Sequence, residues 1–276
     1  KTAGEQYRIA KEQFIYKNYD SIFDFFTWDV LTKGRKLHVF QSMDRYVRSQ
    51  FESEELQKIL QYTLVFLGSS PYNTPALYNI MSYIDFDMGV FYPKGGIYAL
   101  IQALERIAHK NGVAIKLNEP VQEILVDQGR AIGVKRNNGT IDRADVVISN
   151  ADYHFTEQVL LPATAREHNE AYWKKKTLAP SAFILYLGID GRIPNVQHHN
   201  LIFSQDWKQN FADIFETPRL PEDPSYYICA PSITDPTVAP KGTENLFVLV
   251  PIPANLTISP EEQERYAQKI LGSMEI

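Results

Sequence analysis

Two short stretches carry the residues whose types and spacing best suit the binding of a cofactor. The first is Gly89-Val-Phe-Tyr-Pro-Lys-Gly-Gly96, in which a glycine pair precedes an amphipathic segment. The second is Ile148-Ser-Asn-Ala-Asp152, where small and polar residues follow an apolar run. Between them the sequence predicts a helix, a β-meander and a return strand. This order of elements is typical of the middle of an enzyme that binds a dinucleotide cofactor.

The elements that position these two stretches follow from hydrophobic spacing and turn residues. Gly95 and Gly96 open a helix with one apolar stripe, and Asn111-Gly112 closes it. Asn138-Gly139 indicates a hairpin turn. The predicted strands are 113–117, 121–126, 131–136 and 145–149, and the last is apolar enough to be covered on both faces. An ordinary α+β domain without a cofactor would also need helix, hairpin and strand. It would not need the glycine pair or the Ser-Asn-Ala-Asp end.

Other arrangements of reactive residues give weaker signals. The pair His198-His199 could suggest a metal, but adjacent residues of a strand point to opposite faces, and no Cys or carboxylate lies at ligand spacing. We therefore predict no metal ligands. Ser149 and Ser181 lack the surroundings of a nucleophile elbow, so hydrolase chemistry has no support. The sequence identifies no catalytic residue.

Composition and charge narrow the class of protein. The chain has 276 residues, a net charge of -5 and one cysteine, Cys229. The negative charge and the lack of a dense basic run argue against nucleic-acid binding. A single cysteine excludes an internal disulfide and suits a reducing compartment. The apolar runs are far shorter than the roughly 20 residues of a membrane span, so any membrane contact is expected to be peripheral.

The flanking segments differ in predicted structure. Residues before about Phe86 are mainly helical, with Ser53 as an N-cap and an apolar cluster at 22–28. After His154 the sequence predicts strands at 181–188, 200–203, 226–230 and 245–252, which we interpret as one antiparallel sheet. Ser259 and Pro260 open a further helix. The predicted division is 1–88 and 154–258 as the helical and sheet parts of a substrate domain, 89–153 as the central piece of a cofactor domain, and 259–276 as the start of a helix.

Several motifs in this order resemble the bacterial-type carotenoid desaturases, which include phytoene desaturase and diapophytoene (dehydrosqualene) desaturase. The resemblance covers nearly the whole chain, and the combination is more specific than any single motif. The segments that carry it include Gly89–Gly96, Val121–Ile124, Ser149–Asp152, Tyr62–Pro71, Ser181–Asp190 and His199–Ser204. The last two look most like the C30 branch of the family.

Two departures from the family pattern bear on the cofactor. The family begins with a Gly-x-Gly-x-x-Gly turn that receives the flavin pyrophosphate, and no such fingerprint occurs here. The family also ends with a glycine-rich segment over the flavin, whereas this chain stops within the helix that Ser259 opens. The resemblance therefore implies a central fragment of a two-domain, FAD-dependent oxidoreductase of α+β class, with a mixed sheet containing the meander. We expect the fragment to bind FAD weakly or not at all and to be inactive.

The resemblance also implies chemistry, partners and site residues. A flavin would remove hydride from a C30 or C40 polyene, and the protein would align the bond and exclude water. The cofactor-binding candidates carried over are Val121, Ser149, Asn150 and Ala151. The expected partner is a long apolar polyene, and the expected location is cytoplasmic and peripheral to the membrane. Two alternatives stay open: a related flavin enzyme, such as a carotenoid isomerase, a retinol-saturase-like reductase or an amine oxidase, or a non-redox module that binds hydrophobic ligands.

Overall fold

The computed structural model describes residues 2–16, 18, 20–21 and 37–274. The chain divides into two compact units. The first unit joins Lys1–Leu100 with Ala179–Ile276, and the second unit is Ile101–Leu178. The apolar cluster predicted at 22–28 lies outside the described residues. The ranges expected for a substrate domain and a cofactor domain remain functional predictions.

The first unit contains most of the described helices. Ser53 begins one of them as its N-cap, where the Ser53 hydroxyl accepts a hydrogen bond from the Leu56 N–H, as predicted. Ser259 likewise forms a capping box with Glu262 at the start of the C-terminal helix. The helices of this unit are Thr2–Ala10, Met43–Arg48, Glu54–Gln61, Thr63–Phe66, Ile80–Tyr83, Trp207–Phe215 and Pro260–Ser273, with π-helical turns at Lys11–Ile15 and Ile84–Met88 and 3₁₀ turns at Ala76–Asn79 and Pro231–Ile233.

The sheet of the first unit is antiparallel and has four strands, as the sequence predicts. Its strands are β4 (Ser181–Asp190), β5 (His199–Ile202), β6 (Tyr226–Cys229) and β7 (Thr243–Ile252). The order across the sheet is β4-β7-β6-β5, so β5 is an edge strand. One row of paired residues runs across all four strands as Leu201, Tyr227, Leu249 and Ile184. Because strand side chains alternate, the four members of this row lie on the same face.

The opposite face of this sheet forms the core of the first unit. Val248 and Val250 are fully buried there, and they pack with Tyr266 and Ile270 of the C-terminal helix. The rings of Phe183 and Tyr266 meet edge to face, 5.3 Å apart. The helix therefore holds the sheet from one side only, which leaves the face with Leu201 and Tyr227 to other neighbours.

The second unit contains the three-stranded meander that the sequence predicts. Strands β1 (Val121–Asp127), β2 (Arg130–Arg136) and β3 (Ile141–Arg143) pair in sequence order and are antiparallel. Gly133 has φ +147°, and a Cβ atom there would lie 2.2 Å from the Asp142 carbonyl oxygen. Only glycine permits this close approach of β2 and β3.

The second unit also contains most of the long helix, Ile97–Lys110, which begins directly after Gly95 and Gly96 as predicted. No residue of the long helix is buried, and its apolar stripe is exposed. Leu104 and Ile107, for example, are 55% and 58% exposed. The unit's other helical segments are Tyr153–Phe155, Thr156–Leu160, Ala163–Ala165 and Glu170–Trp173.

Two predicted strands and the predicted mixed sheet are wrong for the described residues. Segments 113–117 and 145–149 form no ladder, and both sheets of the described chain are antiparallel. Ile148, expected in a covered strand, is 88% exposed. An apolar run becomes a buried strand only when neighbouring strands satisfy its backbone, and these segments have no such neighbour among the described residues.

Candidate functional site

The first unit contains an apolar cavity of about 500 Å³ on the face of the sheet opposite the core. Leu201 and Tyr227 supply the sheet side of its wall. Met81 of the helix Ile80–Tyr83, Ile84 of the π-helical turn and Val90 after that turn supply aliphatic side chains. A volume of this size is typical of sites for small organic ligands. The full lining is Tyr62, Thr63, Met81, Ile84, Asp85, Val90, His199, Leu201 and Tyr227.

Two further cavities continue along the same face. A narrow one of about 30 Å³ shares Tyr62, Leu201 and Tyr227 with the first cavity. A third, of about 340 Å³, shares Val65 and Leu249 with the narrow one. We call the three together the sheet groove. Its succession of apolar walls suits a long, thin, apolar ligand, because such a ligand is bound by the area it removes from water.

Contacts between the helices and the sheet fix the walls of the sheet groove. The Lys58 ammonium donates to the Ser204 carbonyl oxygen at 2.8 Å. The indole N–H of Trp207 donates to the Gln61 amide oxygen at 3.1 Å, and both side chains are buried. The rings of Tyr62 and Phe203 lie 6.4 Å apart. These contacts hold the helix Glu54–Gln61 over the strand β5 end of the sheet.

One pair of polar groups in the groove wall is formed by Tyr62 and Asp85. The Tyr62 hydroxyl donates a hydrogen bond to the Asp85 carboxylate. Burial raises the pKa of Tyr62, and the bond to Asp85 raises it further. Tyr62 is therefore a neutral phenol, and the pairing lowers the cost of placing a carboxylate beside an apolar cavity.

A second polar group, formed by His199 and Tyr227, lies on the sheet side of the groove. The Nδ1 atom of His199 lies 2.6 Å from the Tyr227 hydroxyl, and the two rings stack at 5.9 Å. Burial raises the pKa of Tyr227, and its hydrogen bond with Cys229 adds to this. The Tyr227 hydroxyl therefore links the His199 imidazole of the groove wall to the Cys229 thiol.

The structure places the four cofactor candidates in the second unit. Val121 is the first residue of β1 and is 37% exposed. Ser149, Asn150 and Ala151 are exposed in the coil before Asp152, which caps the helix Tyr153–Phe155. The Ser149 hydroxyl lies 2.8 Å from that of Thr156. The described residues around these four do not enclose a flavin, so their assignment stays a prediction and carries no chemical step.

The residues of the sheet groove were not singled out from the sequence, although one signal was present. In β6 and β7 the core residues Ile228, Val248 and Val250 alternate with Tyr227 and Leu249, which are large and apolar rather than polar. A strand that is apolar on both faces is covered on both. The sequence therefore held the information that a second apolar surface exists, but not its shape.

Two solved structures illustrate the similarity of the fold. An oxidoreductase from Methanosarcina mazei superposes with a TM-score of 0.57 at 23% identity, covering 85% of this chain and 51% of its own. The PF1083 protein from Pyrococcus furiosus superposes with a TM-score of 0.57 at 17% identity. The superposition covers 84% of this chain and 54% of the Pyrococcus protein. These similarities establish the fold alone.

Sequence comparison establishes the family. Residues 12–275 match the flavin containing amine oxidoreductases, and the chain belongs to that family. A flavin is therefore the cofactor that the family implies. The match covers both units of the structure.

Individual relatives are more specific. The carotenoid 3,4-desaturase of Haloarcula japonica is 41% identical over 274 residues, which are 99% of this chain and 55% of the relative. The zeta-carotene-forming phytoene desaturase of Myxococcus xanthus is 38% identical over 90% of this chain and 47% of its own. A 4,4'-diapophytoene desaturase of Staphylococcus aureus is 33% identical over 90% of this chain and 50% of the relative. These matches confirm the resemblance to carotenoid desaturases. The chain spans about half the length of these relatives.

Proposed function

We propose that this chain is the substrate-binding part of a carotenoid desaturase that uses FAD and acts on a C30 or C40 precursor in carotenoid biosynthesis. The observation that carries the proposal is the sheet groove, an elongated apolar surface. The three curated relatives described above are named as carotenoid or diapocarotenoid desaturases. In the proposed two-domain enzyme, the first unit corresponds to the substrate domain.

The groove supplies what an unfunctionalised polyene needs for binding. Such a ligand has no polar groups, so its affinity comes from buried apolar area at about 25 cal/mol per Å². Aromatic and aliphatic side chains line the groove, and its Tyr62–Asp85 and His199–Tyr227 pairs bond to each other rather than needing the ligand. An unsatisfied polar group in the wall would lose its water when the polyene bound and would weaken binding.

In the reaction we propose, the oxidising power comes from the flavin, and the groove residues act on the substrate only. Leu201, Tyr227 and Leu249 lie in one cross-strand row and set a flat wall along which an extended chain can lie. A rigid wall of this kind fixes which carbon–carbon bond reaches the reactive position. We assign no proton acceptor among these residues.

We also propose that the enzyme is cytoplasmic and contacts the membrane surface, because a water-insoluble polyene has to be collected from a bilayer. Among the described residues, no helix has the length and apolar composition to cross a membrane. The exposed apolar stripe of the long helix is a surface that could enter the headgroup region. Co-sedimentation of the chain with lipid vesicles tests this, and recovery of all protein in the supernatant would contradict it.

Product analysis of the enzyme encoded by the gene for this chain tests the proposed reaction. We expect cells that make a C30 or C40 precursor to accumulate products with additional conjugated double bonds, which shift absorption to longer wavelength and lower the mass by two hydrogens per step. Products of unchanged mass and altered double-bond geometry would indicate an isomerase instead. Oxidation of amines without any change in the polyene would contradict the proposal.

A non-redox binding module is the remaining alternative. It would bind the polyene in the sheet groove but leave its absorption spectrum and mass unchanged, even with flavin and an electron acceptor present. Binding without turnover in the intact enzyme would therefore favour that alternative over the desaturase.

A further inference from the structure

Three residues that can bind a transition metal meet at one end of strands β5 and β6. One ring nitrogen each from His198 and His199 and the Cys229 sulfur all lie within 4.8 Å of one another. The register explains the meeting, since His199 and Cys229 are directly paired across the two strands. His198 precedes β5, so its ring is not forced to the opposite face, and the two imidazole rings lie 4.4 Å apart.

This arrangement removes two premises of the sequence argument against metal ligands. That argument assumed that both histidines belong to a strand and that no cysteine is near them. The structure places only His199 within β5, and the strand pairing brings Cys229 beside it although 30 residues separate them in sequence. Spacing along the chain could not reveal a ligand supplied by a neighbouring strand.

Both imidazoles are held by hydroxyl groups at the same ring position. His198 Nδ1 lies 2.6 Å from the Thr234 hydroxyl, and His199 Nδ1 lies 2.6 Å from the Tyr227 hydroxyl. Histidines that bind metals usually use one nitrogen for the metal and the other for such an outer hydrogen bond, which fixes the ring. Among the described residues, these bonds use Nδ1 of each ring and leave Nε2 for another partner.

The second ring nitrogen of His198, Nε2, is buried and has no hydrogen-bond partner among the described residues. A buried imidazole nitrogen without a partner costs free energy, and the cost disappears if the atom binds a metal.

We propose that His198, His199 and Cys229 form a binding site for a zinc-class transition metal, with two imidazole ligands, one thiolate and one open position. Sulfur with imidazole nitrogen is the donor set that zinc prefers, and magnesium or calcium prefers oxygen. Tetrahedral zinc would separate the nitrogens by about 3.3 Å and nitrogen from sulfur by about 3.6 Å. The three ligand atoms are now up to 4.8 Å apart, so side-chain rotations must bring them about 1 Å closer to one another to bind zinc.

The position of the site suggests what the metal would do. It would join the residue before β5, the first residue of β5 and the last residue of β6. Because β5 is an edge strand held by one neighbour, a metal bridge would secure it to the sheet. His199 also lines the 500 Å³ cavity, so the bound metal would lie at the wall of the sheet groove.

Isothermal calorimetry of the metal-free chain titrated with Zn²⁺ alone tests the proposal without any enzyme assay. We expect one zinc per chain and a rise in the midpoint temperature of unfolding on zinc addition. Cys229→Ser and His199→Ala should each weaken zinc binding by about 100-fold or more. His109→Ala, which removes an exposed histidine of the long helix, is the matched control and should bind zinc as the parent chain does.

Cobalt titration with a second variant guards against a loss of binding caused by misfolding. Co²⁺ should give a thiolate-to-metal charge-transfer band with the parent chain. Cys229→His should still bind one metal but lose that band, because the ligand is kept and the sulfur is not. Equal zinc affinity in the parent, Cys229→Ser and His199→Ala chains would overturn the proposal, as would the absence of a charge-transfer band in the parent chain.

Discussion

Placing a carboxylate in the sheet groove should abolish polyene binding at one position and leave it intact at a matched one. Leu201 and Ile184 belong to the same cross-strand row, lie on the same face of the sheet and are each 38% exposed. Leu201 lines two of the three cavities, whereas Ile184 lines none of them. The substitutions Leu201→Glu and Ile184→Glu therefore differ mainly in whether a bound polyene would cover the new charge.

The size of the effect follows from the cost of an uncompensated charge. In Leu201→Glu the bound polyene would remove water from a carboxylate that has no lysine or arginine among the residues lining the first two cavities. Leaving a buried charge without a partner costs about 3 kcal/mol or more. Since 1.4 kcal/mol is about a factor of ten, Kd should rise about 100-fold or more. Ile184→Glu keeps its carboxylate in water, and Kd should change less than about 3-fold.

Quenching of intrinsic tryptophan fluorescence by a detergent-solubilised polyene measures this Kd. Trp207 is a suitable reporter because it lines the narrow cavity between the two larger ones. A buffer near pH 8 keeps the new carboxylates ionised, since the ordinary pKa of Glu is about 4.3. Circular dichroism shows whether both variants fold. Equal polyene affinity in two folded variants would refute the placement of the substrate in the sheet groove.

Three further predictions concern the cofactor and the packing. The purified chain should show little flavin absorption, because the described residues around Val121 and Ser149–Ala151 do not enclose a flavin. Near-stoichiometric yellow protein would contradict this. Ile270→Ala should lower the free energy of unfolding, measured by denaturant titration, by about 2–5 kcal/mol, because Ile270 is fully buried. Substitution of the exposed Arg265 by alanine should change the free energy of unfolding little. Equal effects would mean that the C-terminal helix is not docked on the sheet. Gly133→Ala should destabilise the meander by about 2 kcal/mol or more, whereas Gly188→Ala, whose Cβ meets open space, should have a much smaller effect on its own strand β4. Amide exchange measures each effect locally, in β2 for Gly133→Ala and in β4 for Gly188→Ala.

Elements specified by local sequence were predicted well. The N-caps Ser53 and Ser259 act within one helical turn, so their roles can be recognised from neighbouring residues alone. The glycine pair before Ile97 and the meander likewise depend on short-range turn chemistry. The four strands of the larger sheet follow from continuous apolar runs between prolines. These features could be predicted without knowing the tertiary contacts.

The failures share a dependence on neighbours distant in sequence. Segment 145–149 has the composition of a covered strand but forms none among the described residues, because a strand needs a partner as well as a suitable composition. The sheet groove depends on the register that aligns Leu201, Tyr227 and Leu249. The meeting of His199 with Cys229 depends on the same register. Composition indicates which residues are apolar or reactive, but only pairing determines which of them meet.

Because side chains alternate along β6 and β7, one face of these strands packs in the core and the other face lines the sheet groove. Val248 and Val250 face the C-terminal helix, while Tyr227 and Leu249 face the groove. Substitutions on the groove face can change the length and width of the channel while the opposite face keeps its packing intact. If the groove binds the substrate as proposed, substrate preference can therefore diversify one residue at a time at a smaller cost in stability than changes to the core face. A library limited to the Leu201–Tyr227–Leu249 row would explore chain-length selectivity with most of its members still folded.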